Sequence, residues 1–514
     1  MLFSPIEKIS LNYFFYLPQK GFMLNEFDTV KLIFGLKIAQ LRREQNLSFQ
    51  QLSDHTGLAI SYLHNIEKGK KYPKGDKIIV LAKALKTDYN YLVSLDAGKK
   101  LQPIFDLLNS DFLKMFPLEQ FGIDLSKLLE LLSQTPDKMN AFINTVLKMT
   151  RNYQLQGEDF YKAALRSYQE LYDNYFEELE QAVRAMRQQY QIKEVRILNT
   201  EQLENILKDK FGIRVNRSKL GSLVALNKVR SYYQPGQKTL YLNDGLSNAQ
   251  ENNLIAKEIG FQFLGFRLEE RPLETRMLEI SSFEELLNNF KASYFAVALL
   301  LDEQSIIKDL KRIAAETKWR PELIASLLAK YNVSSEVLIQ RLANILPHHF
   351  GIHDLFFLRF YTQNNMAKFE MTKEMHLSQL HNPYANQLEE HYCRRWISTK
   401  TIQQLSPQQT ASKIQIGAQI SHYTEPEGSY LCISLAKKST DQPGGGTSVT
   451  IGLLVNDQLK RLFKWLKDPS LDQQDVHTTC ERCAIEHCSE RMAKPIVLEA
   501  SRGLKKTKAA LEAI

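Results

Sequence analysis

The tightest constraint on the N-terminal part of the chain is a pair of glycines, Gly57 and Gly69, that bracket one short amphipathic segment and leave each neighbouring helix only a few turns. Upstream, Leu36, Ile38, Ala39 and Leu41 recur at helical spacing from Leu36 to Arg43, and Gln45-Asn46 breaks the pattern. A second helix starts at once: Ser48 is a good N-cap, Gln51 three residues on completes a capping box, and Leu52 supplies the inward face before Gly57 lets the chain turn. A third helix follows from about Ile60 to Lys68, with Leu63 and Ile66 inward and Gly69 as its stop.

Two short helices around a glycine turn are a helix-turn-helix, whose second helix lies in the DNA major groove. The string from Gly57 to Gly69 closely resembles the Cro/C1-type (XRE) helix-turn-helix family, and Tyr72-Pro73 with Ile78, Leu81, Ala82, Leu85, Tyr89 and Leu92 resembles its last two helices. The resemblance implies an ion pair between Arg42 and Glu67. By position, Ile60, Ser61, His64 and Asn65 face base edges, with Ser61 and Asn65 able to hydrogen-bond and Ile60 able to touch a thymine methyl. Lys68, Lys70, Lys71 and Lys74 sit by phosphates, which gives affinity without sequence information. The chain departs from the family at Phe49 and Ile60, often glutamine there, and at Ala59, often a serine or threonine cap. The competing reading is a helical module used only for protein contacts.

At 514 residues the chain is too long for one core, and about three domains are expected. The net charge of +8 only permits a nucleic-acid partner, so charge distribution has to decide. The longest apolar run, Tyr294 to Leu301, ends at Asp302 and Glu303 and is too short for a bilayer crossing. The apolar segment Leu11 to Leu17 lacks a small-residue cleavage site; it reads as an extension of the first domain, or as sequence upstream of a true start at Met23. Five cysteines, three of them crowded together, point to metal ligands in a reducing cytoplasm rather than to disulfides.

The fold class expected is multidomain: an all-α helix-turn-helix domain, a long helical linker, then a mainly α and α/β sensor region. The boundaries are an N-terminal extension over 1–34, the helix-turn-helix over 35–95, and a helical linker or dimerisation region over 96–190. A degenerate metallopeptidase-like domain over 191–300, a sensor domain with the cysteines over 301–498 and a tail over 499–514 complete the chain. Within the linker, Met139 to Arg187 is strongly helical. There the string Phe160 to Leu171, followed by Asn174 to Glu180, resembles the short-chain fatty acyl transcriptional regulators. From periodicity alone such an aromatic helix is core or a dimer seam, and no ligand site is placed on it.

Next come a helix over Leu198 to Gly212, two strands (Val229 to Tyr233, Lys238 to Leu242) around Pro235-Gly236, and a helix from Leu254 to Phe266. This order resembles the ImmA/IrrE metallopeptidase-like domain, whose zinc helix carries two histidines four apart with a glutamate after the first. The matching stretch is Lys257-Glu258-Ile259-Gly260-Phe261, and neither an ammonium nor a phenyl ring can replace an imidazole on zinc. Glu258 alone makes no hydrolase, so no enzyme activity is expected. A protease built on His348 and His349 lacks supporting spacing, and adjacent histidines project to different sides of a helix.

Further helices span Ile306 to Leu342 with a break at Tyr331-Asn332, and strands are expected at Asp354 to Phe360 and Ala367 to Met371. Another strand pair, Ser429 to Leu435 and Val449 to Leu454, joins across Pro443 and a Gly444-Gly445-Gly446 hairpin loop. Cys480-Glu481-Arg482-Cys483 with Cys488 can converge on one metal centre. Cys393, in His391-Tyr392-Cys393-Arg394-Arg395-Trp396, is the leading fourth ligand, because the fatty acyl regulators carry a cysteine just before such a tryptophan; His487 is the runner-up. Four thiolates suit zinc or an iron-sulfur cluster. Spacing does not separate these two, and the resemblance favours a four-iron cluster. Cys432, in an apolar strand, reads as core.

The resemblance implies a DNA-binding regulator that takes a short-chain acyl-CoA as effector and, through the cysteine centre, reports redox state or iron supply. A homodimer fits two half-sites of a double-stranded operator, and the short apolar runs give no expectation of membrane attachment. Two rivals stay open: an ImmA/IrrE-like protease acting on a repressor, and a non-catalytic adaptor or antitoxin-like protein.

Overall fold

A computed structural model describes residues 26–94, 118–123, 127–128, 157–192, 197–217, 220, 226, 229–267, 271, 282–362, 368–377, 390–405, 413–424, 427–439 and 445–512. The extension over 1–25, most of the linker over 96–156 and the hairpin tip over 440–444 lie outside them, so the readings at Met23, Pro443 and Gly444 do too. The chain divides into two compact units, Met1–Ala164 with Ser281–Glu284, and Leu165–Ile280 with Glu285–Ile514. The expected class holds: a helical helix-turn-helix domain, then mixed helices and sheets.

The first unit contains α1 (Glu26–Glu44), α2 (Phe49–Thr56), α3 (Ile60–Glu67), α4 (Gly75–Ala84) and α5 (Tyr89–Val93). Helix α1 begins well before Leu36 because Leu32, Ile33 and Phe34 are buried. That run is apolar without a 3.6-residue break, so periodicity hid it. Leu52, Leu63, Ile66, Ile78, Leu81, Leu85 and Leu92 close the core with Phe34 and Ile38. Gly35 lets α1 and α3 touch, since a Cβ there would lie 2.4 Å from the Ile66 carbonyl oxygen. Ser48 and Gln51 form the capping box, and Gly57 takes φ +67° at the turn.

The second unit opens with the end of α6 (Gly157–Leu171) and with α7 (Glu177–Gln189). The helix expected through to Arg187 is interrupted after Leu171, where Asp173 and Asn174 adopt φ of 49° and 52°. Helix α8 (Thr200–Phe211) precedes β1 (Arg214–Asn216), β2 (Ser231–Gln234) and β3 (Thr239–Leu242), a small sheet of order β1-β3-β2 with β1 parallel to β3. Helices α9 (Asn248–Phe263), α10 (Phe283–Leu300), α11 (Glu303–Ala314), α12 (Pro321–Tyr331) and α13 (Ser335–Phe350) follow, with Asn332 left-handed at the expected break. Fully buried Arg341 of α13 grips Glu180 of α7 through both guanidinium arms, and Tyr294 of α10 donates to the same carboxylate at 2.8 Å.

The large sheet contains β4 (Leu355–Thr362), β5 (Phe369–His376), β6 (Gln415–Thr424), β7 (Glu427–Lys438), β8 (Gly446–Leu454) and β9 (Asp472–Val476) in the order β5-β4-β8-β7-β6-β9. Neighbours are antiparallel except β9, which lies parallel on β6. Alternation gives the sheet two faces. Phe356, Leu358, Phe360, Tyr430 and Cys432 pack under α14 (Ile397–Gln403), whereas Arg359 on the opposite face meets Glu336 of α13. Gly446, expected in a loop, opens β8, where a Cβ would stand 2.9 Å from Ile402. A short helix α15 (Asp457–Leu462) precedes β9, and the expected tail is helix α16 (Ile496–Glu512), with no buried residue.

Candidate nucleic-acid interface and cysteine centre

Helix α3 exposes one face. Ile60 is 42% exposed, Ser61 and His64 are exposed and Asn65 is half-buried, while Leu63 and Ile66 on the other side are fully buried. Lys70, Lys71 and Lys74 are exposed beyond its end, and Lys68 is half-buried. The helix is locked from behind: Arg42 Nε and Nη2 donate to the two Glu67 carboxylate oxygens at 2.6 and 2.9 Å, and Nη1 donates to the Leu47 carbonyl at 3.0 Å. A bidentate pair of this kind fixes direction as well as distance.

Phe49, a departure from the family, finds its reason here. Its ring lies 4.1 Å beneath the Arg42 guanidinium and meets the His64 ring edge-on at 5.6 Å. The exposed imidazole is thus braced by the α2 N-terminus. Lys37 was not singled out by its sequence context. It is fully buried and donates to the carbonyls of Tyr91 and Ser94, each at 2.6 Å, tying α5 to α1.

On α9, the positions matching a zinc helix are interior. Lys257 and Glu258 are 6% and 5% exposed. Glu258 accepts from Arg271 at 3.0 Å and from Gln262 at 2.7 Å, and the Arg271 guanidinium covers the Phe261 ring at 4.6 Å. Burial pushes the Glu258 carboxyl up, against the pull of Arg271. Burial, reinforced by Lys373 and Arg230, pushes the Lys257 ammonium down to about 7. Gly260 allows α10 close approach, since a Cβ would stand 3.1 Å from the Ala292 carbonyl oxygen. His348 stacks on Tyr175 at 3.9 Å and His349 hydrogen-bonds Glu303 at 2.7 Å, so each has a local partner.

The cysteines sit beside the α14 face of the large sheet. Residues 391–393 and 478–480 run side by side: Cys393 N donates to the Thr478 carbonyl at 3.1 Å and Cys480 N to the His391 carbonyl at 2.9 Å. The Cys480-to-Cys483 turn closes through Cys483 N to the Cys480 carbonyl at 3.2 Å. Arg491 holds the loop by donating to the carbonyls of Cys480, Cys483 and Ile485 at 3.1, 3.3 and 2.6 Å. The sulfurs accept backbone N–H groups: Met492 to Cys480 and Ile485 to Cys483, each at 3.4 Å, and His477 and Arg395 to Cys393. Cys393, Cys480 and Cys483 are buried and Cys488 is half-buried. Burial pushes the Cys393 thiol up to about 11. As they stand, no three His, Cys, Asp or Glu side chains among the described residues are gathered closely enough to hold a metal ion. Cys432, its thiol pushed up to about 12 by burial, belongs to the sheet core. His391 Nδ1 is engaged by Glu481 at 2.8 Å, and His487 stands at φ 53°.

Among the described residues, no helix is long and apolar enough to cross a membrane. Residues 35–97 match the helix-turn-helix domain family, and residues 208–343 match the IrrE N-terminal-like domain family. The second match takes in α11 and α12 and most of α13, so that domain extends past the 191–300 boundary expected from sequence and into the region expected to be the sensor. No curated protein matches the chain. Among solved structures it is similar to a Mycobacterium tuberculosis transcriptional regulator at 16% identity, over 64% of this chain and 92% of that one, with a TM-score of 0.44.

Proposed function

We propose that the chain is a sequence-specific DNA-binding transcriptional regulator in which α3 reads an operator. The observation that carries this is the solvent-facing row Ile60, Ser61, His64 and Asn65 on a helix anchored by Arg42–Glu67 and flanked by exposed lysines. Hydrogen-bonding side chains on such a helix discriminate bases, and the lysines add charge-driven affinity. Selection of bound sequences from a random pool, followed by titration of the winning duplex, tests it. Asn65→Ala and Ser61→Ala should each weaken the selected site about 5- to 150-fold, with less effect on random DNA. Equal binding of selected and random duplexes would end the sequence-specific reading.

In this reading the IrrE-like domain serves as a scaffold. Lys257 and Phe261 occupy the zinc-ligand positions, and Arg271 caps Glu258, the carboxylate a peptidase would use as base. Repressor cleavage by the purified protein would favour the protease rival instead.

The regulator works as a homodimer on two half-sites and takes a short-chain acyl-CoA through its C-terminal half, as the resemblance to fatty acyl regulators implies. A four-iron cluster, with zinc as the alternative, would be held by Cys393, Cys480, Cys483 and Cys488, whose side chains would have to draw together from where they now stand. Support comes from the pairing of 391–393 with 478–480 and from N–H donation to three sulfurs, which suits thiolate ligands. A cluster would supply redox sensitivity there, and zinc a structural staple. Anaerobic purification with metal and sulfide analysis separates them: brown, iron-containing protein bleached by Cys483→Ser supports the cluster, and colourless zinc protein supports the staple. Metal-free protein would sink both.

A further inference from the structure

A second charged cluster lies where α9, the entry to β2 and the α13 face of the large sheet meet. Lys373 of β5 stands directly opposite Arg359 of β4 in the strand register. Two residues on, Tyr361 aligns through Thr447 of β8 with Lys437 of β7, so Arg359 and Lys437 lie on one sheet face. Glu336 of α13 pairs with Lys373 at 2.5 Å and with Arg359 at 3.4 Å. Arg230, the residue before β2, and Lys257 of α9 lie within electrostatic reach of the same carboxylate, as does Lys437.

Five cations, four of them on α9, β4, β5 and β7 and one just before β2, therefore share Glu336. They grade inward: Lys373 is 49% exposed, Arg359 28%, and Lys257 6%. Arg230 and Lys437 are half-buried, and among the described residues the side chain of neither has a hydrogen bond or ion pair. Burial and the neighbouring cations hold both below their ordinary values, while Lys373 and Arg359 hold Glu336 down to about 2. Crowding like charges away from water is unfavourable unless an anion joins them.

We propose that Arg230, Lys257, Arg359, Lys373 and Lys437 form a binding site for the phosphate group of a small-molecule ligand. A dianionic group suits it better than a monoanion. Glu336 already supplies one negative charge, and two guanidinium forks with three ammonium groups can satisfy several oxygens at once. The cluster also gives Lys257 a role: where a zinc helix carries a metal ligand, this helix contributes a cation. The inference rests on the reading of the C-terminal half as an effector domain and gives that effector an attachment point.

The test is titration of the full-length protein with orthophosphate, pyrophosphate and coenzyme A at constant ionic strength in chloride, read by calorimetry and by thermal unfolding. Saturable binding is expected, about tenfold or more weaker in Arg230→Gln and weaker again when Lys437→Gln is added. Among the described residues the side chain of neither has a hydrogen bond or ion pair, so the empty double variant should unfold no earlier than wild type. Glu336→Gln should tighten binding several-fold by removing a competing carboxylate, which a purely structural role would not do. Coenzyme A binding tighter than orthophosphate identifies a phosphate-bearing metabolite, and the reverse order identifies the free anion. No binding above chloride, or unchanged binding in the double variant, overturns the site. Operator affinity of the empty double variant is measured alongside: it should equal that of empty wild type, so a failed anion site leaves the DNA reading standing, and a failed DNA reading leaves the anion titration intact.

Discussion

Helices α3 and α9 both lie within family matches, and they treat their functional positions in opposite ways. Helix α3 keeps Ser61 and His64 in solvent and buries only Leu63 and Ile66. Helix α9 buries every residue from Leu254 to Phe261, including Lys257 and Glu258. A recognition helix needs one apolar stripe for support and one free face for a ligand. A helix buried all round can retain polar residues only by giving each a partner inside, as Glu258 has in Arg271 and Gln262. One family-matched helix thus leaves a face open to solvent, and the other is closed into packing.

The sharpest way to break the comparison is to remove what holds α3 in place. Arg42 and Glu67 are 12% and 8% exposed, so Arg42→Met strands a carboxylate and also removes the cation over Phe49. Loss of a buried partner costs about 3–5 kcal/mol. Amide exchange along α3 should accelerate accordingly and operator binding should fall with it. Unchanged protection of Leu63 and Ile66 would show that the core alone orients the helix.

On α9 the sign reverses. Lys257 is charged at an energetic disadvantage, so Lys257→Met should stabilise the unliganded protein by about 1–4 kcal/mol at pH 6. The lysine pKa is lowered to about 7 in the fold from 10.5, so between these values the unfolded chain holds the proton more tightly. Wild-type stability from this group is full above about pH 10.5, declines as pH falls to about 7, and is flat below. The advantage of the variant should be largest below pH 7 and close toward pH 10.5. A pH-independent gap would mean that lost packing, not charge, governs the position.

How much of this was legible follows from how local each signal is. The capping box at Ser48 and Gln51 and the Gly57 turn each lie within a few residues and are present as read, whereas the Arg42–Glu67 pair, 25 positions apart, is present but was reached through the resemblance to the Cro/C1-type family. The upstream half of α1 was hidden by a continuous apolar run, and buried Lys37 by being an ordinary lysine until α5 folds back on it. Strand β6 carries Gln419 and Ser421 inward, and edge strand β9 reads Asp-Gln-Gln-Asp-Val, so neither shows clean alternation. Phe49 did carry a signal: an aromatic where the family often has glutamine marked the place where His64 is braced. The cation cluster could not be read at all, because Arg230, Lys257, Arg359, Lys373 and Lys437 meet only through tertiary pairing.

The smallest effect on stability is expected at the edge of the open region. Lys71 is exposed just beyond α3 and has no assigned base-reading role, so Lys71→Ala should change stability by no more than about 0.5 kcal/mol. Its effect should appear in the salt dependence of DNA binding instead. Removing one phosphate contact lowers the magnitude of the slope of log K against log salt by about one, equally for operator and random duplexes. Unchanged slopes on both would place the phosphate backbone elsewhere. A change confined to the operator would make Lys71 a reader of bases and extend the recognition surface past Gly69, into the turn that the sequence marks only as a helix stop.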